Sequence, residues 1–481
     1  MVYRGISLAL IGLILLALGL IAVGCYTNPA TGEEQLSFYS TEQEIQMGRE
    51  ADKQITASMG VYPDSSLQRY IDSLGQKLAA VSERPDLPWS FKVIDDPTVN
   101  AFALPGGFIY VTRGILGHFN NEAQLSGVLG HEIGHVTARH SVNQMSKQQL
   151  FQLGVGLGTM IEPDLQEYTG LIGAGMQLLF LKFSRDDERQ ADDLGLRYMV
   201  RARKDPREMD DIFEMLGRVS EQAGSGRVPV WMSTHPSPEN RVERIRQAYD
   251  TLSLDYATTG VGRDVYLQYL DDVVYGNDPR EGYFEGSTFY HPTLTFRFQF
   301  PDGWQTMNQK QGVLAASPEQ DAVIQITLSQ AATPRAAADQ FFTQQGMSGG
   351  AVQSTTINNL TAVSGEFQAQ AQQGTLAGMA VFVELDNTVF QILGYSTSSG
   401  WPSYQATVRQ SARSFARLTD QSKLSVSPMR IDIVTVPEAM TLSQYHERYP
   451  SEVDLETLAI INQLEADSRL TAGQKLKRIV K

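Results

Sequence analysis

The run His131-Glu132-Ile133-Gly134-His135 constrains this 481-residue chain more than any other feature. Asn120 or Asn121 is placed to cap a helix predicted to reach about Val142, and the run lies inside it. Two histidines at i and i+4 sit one above the other on a helix face. Both imidazoles can then reach one zinc ion at ~2.0–2.1 Å. Glu132 falls beside them, placed to take a proton from a water at the metal. Whatever the fold, it must bring a third ligand to this face and leave one position open for water.

Two candidates for that third ligand follow in the sequence. His140 is the nearer, but the spacing HExxHxxGxxH asks for Gly and His where Ala138 and Ser141 stand. His140 therefore reads as a polar residue near a helix end or as a ligand outside that template. The second candidate is Glu188-Arg189-Gln190-Ala191-Asp192, with carboxylates at i and i+4 on one helix face. Glu188 would complete a His₂Glu site. Asp192, one turn along, could accept the free N–H of a ligand histidine. A solvated acidic face is the alternative, because Asp186, Asp187 and Asp193 crowd the same stretch.

These motifs, with Ser233-Thr234-His235-Pro236 and Arg241 downstream, resemble metallopeptidase family 48 over about residues 40–250. Asn100 to Gly107 is similar to the strand that precedes the family's zinc helix. The resemblance implies one zinc per chain, held by His131, His135 and Glu188. It implies catalytic roles for Glu132, Asp192, His235 and Arg241, with His235 near the open metal position and Arg241 supporting it. Asn100, Ala101 and Phe102 become the candidate substrate-binding strand, where an extended peptide could add by backbone hydrogen bonds. The best-known members span membranes several times, whereas no second apolar run of 18 residues occurs here. Residues 150–183 are apolar but broken by Glu162, Pro163, Asp164 and Glu167, and are predicted as two core helices. The branch expected is soluble and periplasmic.

The N-terminus carries an address. Arg4 is the only charged side chain before Glu33, and Ile6 to Val23 is apolar. Ala22-Val23-Gly24-Cys25 then resembles a bacterial lipoprotein signal, with Ala22 where Leu is usual. That implies cleavage before Cys25 and lipid on its sulfur. The rest would face the periplasm, tethered to a membrane, with the outer membrane expected. An uncleaved anchor is the alternative. Cys25 is also the single cysteine, so no intrachain disulfide can form.

Asp plus Glu number 54 and Lys plus Arg 39, a net charge of −15. An acidic chain of this size gains nothing electrostatically from nucleic acid, so no nucleic-acid partner is expected. Charge thins after the turn cluster at Asn277 to Gly282, which marks a domain join. The expected fold class is α+β: signal peptide 1–24, tether 25–45, a mostly helical zinc peptidase domain with a small sheet over 46–280, an α+β domain over 281–424, and a small domain over 425–481. In the second domain, Phe300-Pro301-Asp302-Gly303-Trp304 after an aromatic strand resembles the PsbP-like fold. Asp386-Asn387 between Val381–Leu385 and Val389–Leu393 predicts a hairpin. The tail reads strand, helix, helix, strand and resembles a LysM module, a class that binds peptidoglycan, although the usual Gly-Asp before Thr441-Leu442 is Ala439-Met440.

The expectation is a zinc metalloendopeptidase of the bacterial envelope acting on envelope polypeptides, in quality control or outer-membrane assembly. A periplasmic chaperone or scaffold with a latent zinc site, and a peptidoglycan-anchored binding protein, are the rivals.

Overall fold

The computed structural model describes residues 25–154, 178, 181–222, 230–236, 240–371 and 374–481. The expected signal peptide lies outside them, as does most of the helix pair expected over 150–183. The architecture is mixed α/β with several sheets. Among the described residues no helix is long and apolar enough to cross a membrane. The chain divides into two compact units, the first joining residues up to Gly276 with Met429–Lys481, the second Asn277–Pro428.

The first unit begins with a short hairpin, β1 (Cys25–Thr27) against β2 (Glu34–Leu36). The stretch read as a tether is thus docked. Asn28 is fully buried and its Nδ2 donates to the carbonyl of Ala138 at 3.2 Å, while Arg139 lies over the Tyr26 ring. Helix α1 (Thr41–Met59) opens with a capping box. Ser40 is the cap and Gln43 closes the box, because Glu44 is drawn inside by Arg84 at 2.9 Å and Arg139 at 3.2 Å. Helix α2 (Ser65–Ala79) packs its Leu67, Ile71, Leu74 and Leu78 stripe on the sheet.

That sheet has three strands in the order β3 (Ser90–Ile94), β5 (Phe108–Thr112), β4 (Ala101–Leu104). Its β4–β5 turn needs positive φ at Gly106 and Gly107, 80° and 101°, where glycine costs least. A short helix α3 (Arg113–Leu116) leads into the histidine helix α4 (Glu122–Thr137). Asn121 caps α4, accepting from Gln124 N at 2.9 Å. The helix stops at Thr137 and not near Val142. Arg139 turns left-handed at φ 59°, held by the Tyr39 carbonyl and Glu44, and α5 (His140–Gly154) starts anew. Helices α6 (Arg185–Arg201), α7 (Glu208–Gln222), α8 (Val230–Thr234) and α9 (Arg241–Asp250) follow.

The tail has the expected element order: β6 (Met429–Thr435), α10 (Leu442–Arg448), α11 (Leu455–Asn462) and β7 (Lys475–Val480). It is not a separate module. Ile431, Leu442, Leu458, Leu476 and Ile479 enter the same apolar cluster as Leu125 and Leu129 of the histidine helix. Lys477 is fully buried, and its Nζ donates to the carbonyls of Gly117 and Phe119 at 2.9 and 2.8 Å. The physical reason is size. A segment this short buries too little of its own surface, so its apolar face is completed by the larger unit.

In the second unit an eight-stranded antiparallel sheet dominates, joined by a four-stranded one. Strand Gly374–Leu385 alternates between two cores: Ala380 and Phe382 meet Phe341, while Val381 and Val383 join Val408 and Ala412. The hairpin expected at Asp386-Asn387 forms, both residues taking positive φ as a two-residue turn requires.

Candidate active site

Close helix packing builds the site. A Cβ on Gly130 would meet Gly195 Cα at 3.1 Å, and one on Gly134 would meet the Ala191 carbonyl oxygen at 3.0 Å. Small residues at these crossings let α4 and α6 approach until the histidines of one face the carboxylates of the other. Glycine lowers helix propensity, and the close approach is what it permits.

His131 and His135 point their Nε2 atoms together, 3.0 Å apart. Glu188 stands 3.5 Å from both, its Oε2 from His131 and its Oε1 from His135. His235 adds Nδ1, 3.0 Å from Glu188 Oε1 and 3.4 Å from His131 Nε2. Ligand atoms of the four residues lie within 4.8 Å of one another, and all four side chains are buried. Of the two third-ligand candidates, Glu188 joins the cluster and His140 does not. His140 turns its Nδ1 to the back of His135, 2.9 Å away.

The donor set fits a cation. Asp192 Oδ1 lies 3.0 Å from His131 Nδ1, which therefore carries the proton and leaves the Nε2 lone pair facing inward. Glu188 Oε2 is buried and makes no hydrogen bond. Lone pairs and a carboxylate converge on one point, and nitrogen and oxygen donors in this number suit zinc.

Fixed charges surround the cluster. Arg241 donates Nη2 to Asp192 Oδ1 at 2.6 Å and Nε to Oδ2 at 3.0 Å, and Arg244 adds Nη2 to Oδ2 at 2.7 Å. Burial works to raise the Asp192 pKa, but Arg241 and His131 outweigh it and hold the carboxyl well below its usual range. Glu188 is lowered likewise: burial opposes, and the neighbouring His235 leads the groups that outweigh it. His235 is raised because the Glu188 and Glu132 carboxylates outweigh its burial. His135 is pushed well down by burial and by the neighbouring His131.

Glu132 lies at the rim of the cluster. Its Oε1 accepts from Trp231 Nε1 at 3.1 Å and sits 3.6 Å from His235 Nε2. Trp231 was not read from the sequence, nor were Arg244 and Phe183. Trp231 precedes His235 by one helical turn and stacks on it at 4.9 Å, Arg244 follows Arg241 at i+3, and Phe183 stacks on His135 at 4.1 Å. The i+3 spacing was a usable signal for Arg244. Trp231 and Phe183 had none, since a lone aromatic reads as core.

Strand β4 is a sheet edge that runs past these residues, for the Val99 carbonyl accepts from Trp231 N at 3.3 Å. Ala101 and Phe102 turn their side chains into the interior, Phe102 stacking on Tyr110 at 4.7 Å. Asn100 holds Thr112 through its backbone, and its Oδ1 is buried with no partner. This strand can therefore offer a peptide its backbone edge, but not the Ala101 or Phe102 side chains.

The profile of Peptidase family M48 matches residues 65–249, which contain all of this cluster. This segment belongs to that family. This chain is 33% identical over 229 residues to the beta-barrel assembly-enhancing protease of Escherichia coli, covering 46% of each chain. It is 35% identical over 191 residues to the mitochondrial metalloendopeptidase OMA1 of Arabidopsis thaliana, covering 39% of this chain and 37% of that one. The similarity thus spans less than half the length of these two relatives. The solution structure of cyanobacterial PsbP aligns with 28% of this chain and 94% of its own, at 11% identity and a TM-score of 0.24. M48 members are zinc metallopeptidases, and the donor set of the M48 segment is one that zinc accepts.

Proposed function

We propose that the chain is a zinc metalloendopeptidase in which His131, His135 and Glu188 hold the metal. The carrying observation is Glu132 placed beside a buried four-residue donor cluster. Zinc, when bound, supplies a Lewis acid that polarises the scissile carbonyl and brings the pKa of water to about 7. Glu132, steadied by Trp231, accepts the proton of the attacking water and passes it to the leaving nitrogen. Asp192 fixes the ring of His131 and is itself fixed by Arg241 and Arg244. The β4 edge around Asn100 to Phe102 aligns the substrate backbone. His235, whose pKa the Glu188 and Glu132 carboxylates raise, would donate toward the developing oxyanion.

One observation favours a second reading, a latent site serving a chaperone or scaffold. His235 Nδ1 is already among the donor atoms. Casein cleavage and metal analysis decide: Glu132→Gln should keep zinc and lose cleavage. His235→Ala lowers cleavage if that ring serves the oxyanion and raises it if the ring blocks the metal.

The substrates proposed are extended segments of bacterial envelope proteins, supported by the relative named for beta-barrel assembly. Lipid on Cys25 would tether the chain at the outer membrane, facing the periplasm, and labelled lipid lost on Cys25→Ala tests that. For residues 277–428 the PsbP-like reading is supported by Phe300 to Trp304 after its aromatic strand. A LysM-like role for the tail is tested by peptidoglycan pull-down of the full chain with and without substitutions on α10.

A further inference from the structure

His140 belongs to no ligand set, yet it is 2% exposed and touches a ligand. Its Nδ1 lies 2.9 Å from His135 Nδ1, the rings edge-on at 76°, and its Nε2 lies 2.8 Å from Gln190 Oε1. Gln190 sits on α6, two residues after Glu188. The rest follows from proton counting. Two ring nitrogens at 2.9 Å share one proton, so one donates and the other accepts. His135 turns Nε2 toward the donor cluster, so that atom must keep its lone pair and the proton must be on Nδ1. His140 Nδ1 is then the acceptor, and the His140 proton is on Nε2, where Gln190 Oε1 receives it. The opposite chain, with His140 Nδ1 donating, would put a proton on His135 Nε2 and abolish ligation.

We propose that His140 is a positioning residue for the metal site: with Gln190 it holds His135 in the tautomer that binds zinc and couples that ring to the helix bearing Glu188. The two ligand histidines are then backed unequally. His131 leans on the Asp192 carboxylate, clamped by Arg241 and Arg244. His135 leans on a neutral imidazole and an amide, with the Asp187 carboxylate farther off, 3.7 Å from His140 Nε2. A partner behind a ligand histidine fixes its tautomer and its ring orientation, and losing one typically costs 10–100-fold in metal affinity. The placement requires the break at Arg139, since a helix continuing to Val142 would carry residue 140 past the back of His135.

The inference rests on the zinc reading, and its test separates the two. Zinc affinity of the full chain is measured by chelator competition for wild type, His140→Leu and His140→Asn. Asn places Oδ1 where the histidine has Nδ1 and so keeps the acceptor, whereas Leu removes it. The expected result is about 10–100-fold weaker zinc binding for His140→Leu and near-wild-type binding for His140→Asn. Ring 15N spectra of histidine-labelled, zinc-loaded wild type should show His140 protonated at Nε2. That measurement decides even if His140→Leu fails to fold. A proton at His140 Nδ1, equal affinity of His140→Leu and wild type, or equal loss in both variants overturns the proposal. Wild type taking up no zinc overturns the reading beneath it.

Discussion

In residues 277–428 the buried polar side chains among the described residues are Ser317, Ser396 and Ser411, none of them charged. The other unit buries Glu44, Arg84, Glu132, Glu188, Asp192, Asp210, Arg241 and Lys477. Both bury extensive apolar clusters, so the difference lies in what else each interior holds. A charge taken from water costs several kcal/mol unless it is paired and hydrogen-bonded. Arg84 answers Glu44, and Arg241 with Arg244 answers Asp192. The second unit carries no such burden, and its alternating strands need only apolar packing. Glu188 and Asp192 serve the donor cluster, whereas Arg84 with Glu44, and Lys477 with its two carbonyls, tie elements of the unit together.

Four measurements would break or sharpen this contrast. The largest effect is expected at Glu188→Ala, which removes a donor from the cluster. Zinc should be lost and casein cleavage should fall at least about 10³-fold, while the melting of residues 277–428 stays unchanged. Arg84→Ala leaves Glu44 with only Arg139, and about 3–5 kcal/mol of destabilisation is expected in the first unit alone, read by denaturant unfolding. Phe390→Ala is its counterpart in the apolar core and should cost about 3–5 kcal/mol there with zinc affinity untouched. Equal effects of either variant on both units would show that the two are not energetically separate.

The smallest effect is expected at Asp211. Burial, and then Glu208, Asp210 and Glu214, raise its pKa to about 7. Its folded value lies above the unfolded value of about 3.9. The folded state therefore binds the extra proton, and stability falls as pH rises from about 4 to about 7. Asp211→Asn should raise the Tm at pH 8 and leave it unchanged below pH 4. The gain expected is about 1 kcal/mol, because a half-buried charge is partly screened. A Tm difference independent of pH would refute the cause assigned.

The legible parts of the site were those that repeat within one helix. His131, Glu132 and His135 on α4, and Glu188 with Asp192 on α6, follow from i, i+4 geometry. The Asp386-Asn387 hairpin was legible because two residues in a row must tolerate positive φ. The tail was misjudged because its own element pattern was correct, while its core partners are hundreds of residues away. Lys477 reads as an exposed lysine until the carbonyls of Gly117 and Phe119 are placed beside it.

The sequence by itself determined the chemistry of the site. Ligand types and their spacing along single helices depend on local backbone geometry, which short-range interactions specify. Tertiary structure decided which candidate stands beside the two histidines, that His235 joins them, and what backs each histidine. It also decided that the last 53 residues, Met429–Lys481, complete the peptidase unit. Those outcomes depend on two helices meeting where glycines let them, and on apolar surface shared across the chain. No local pattern encodes either, because the contacts that fix them join residues far apart in sequence.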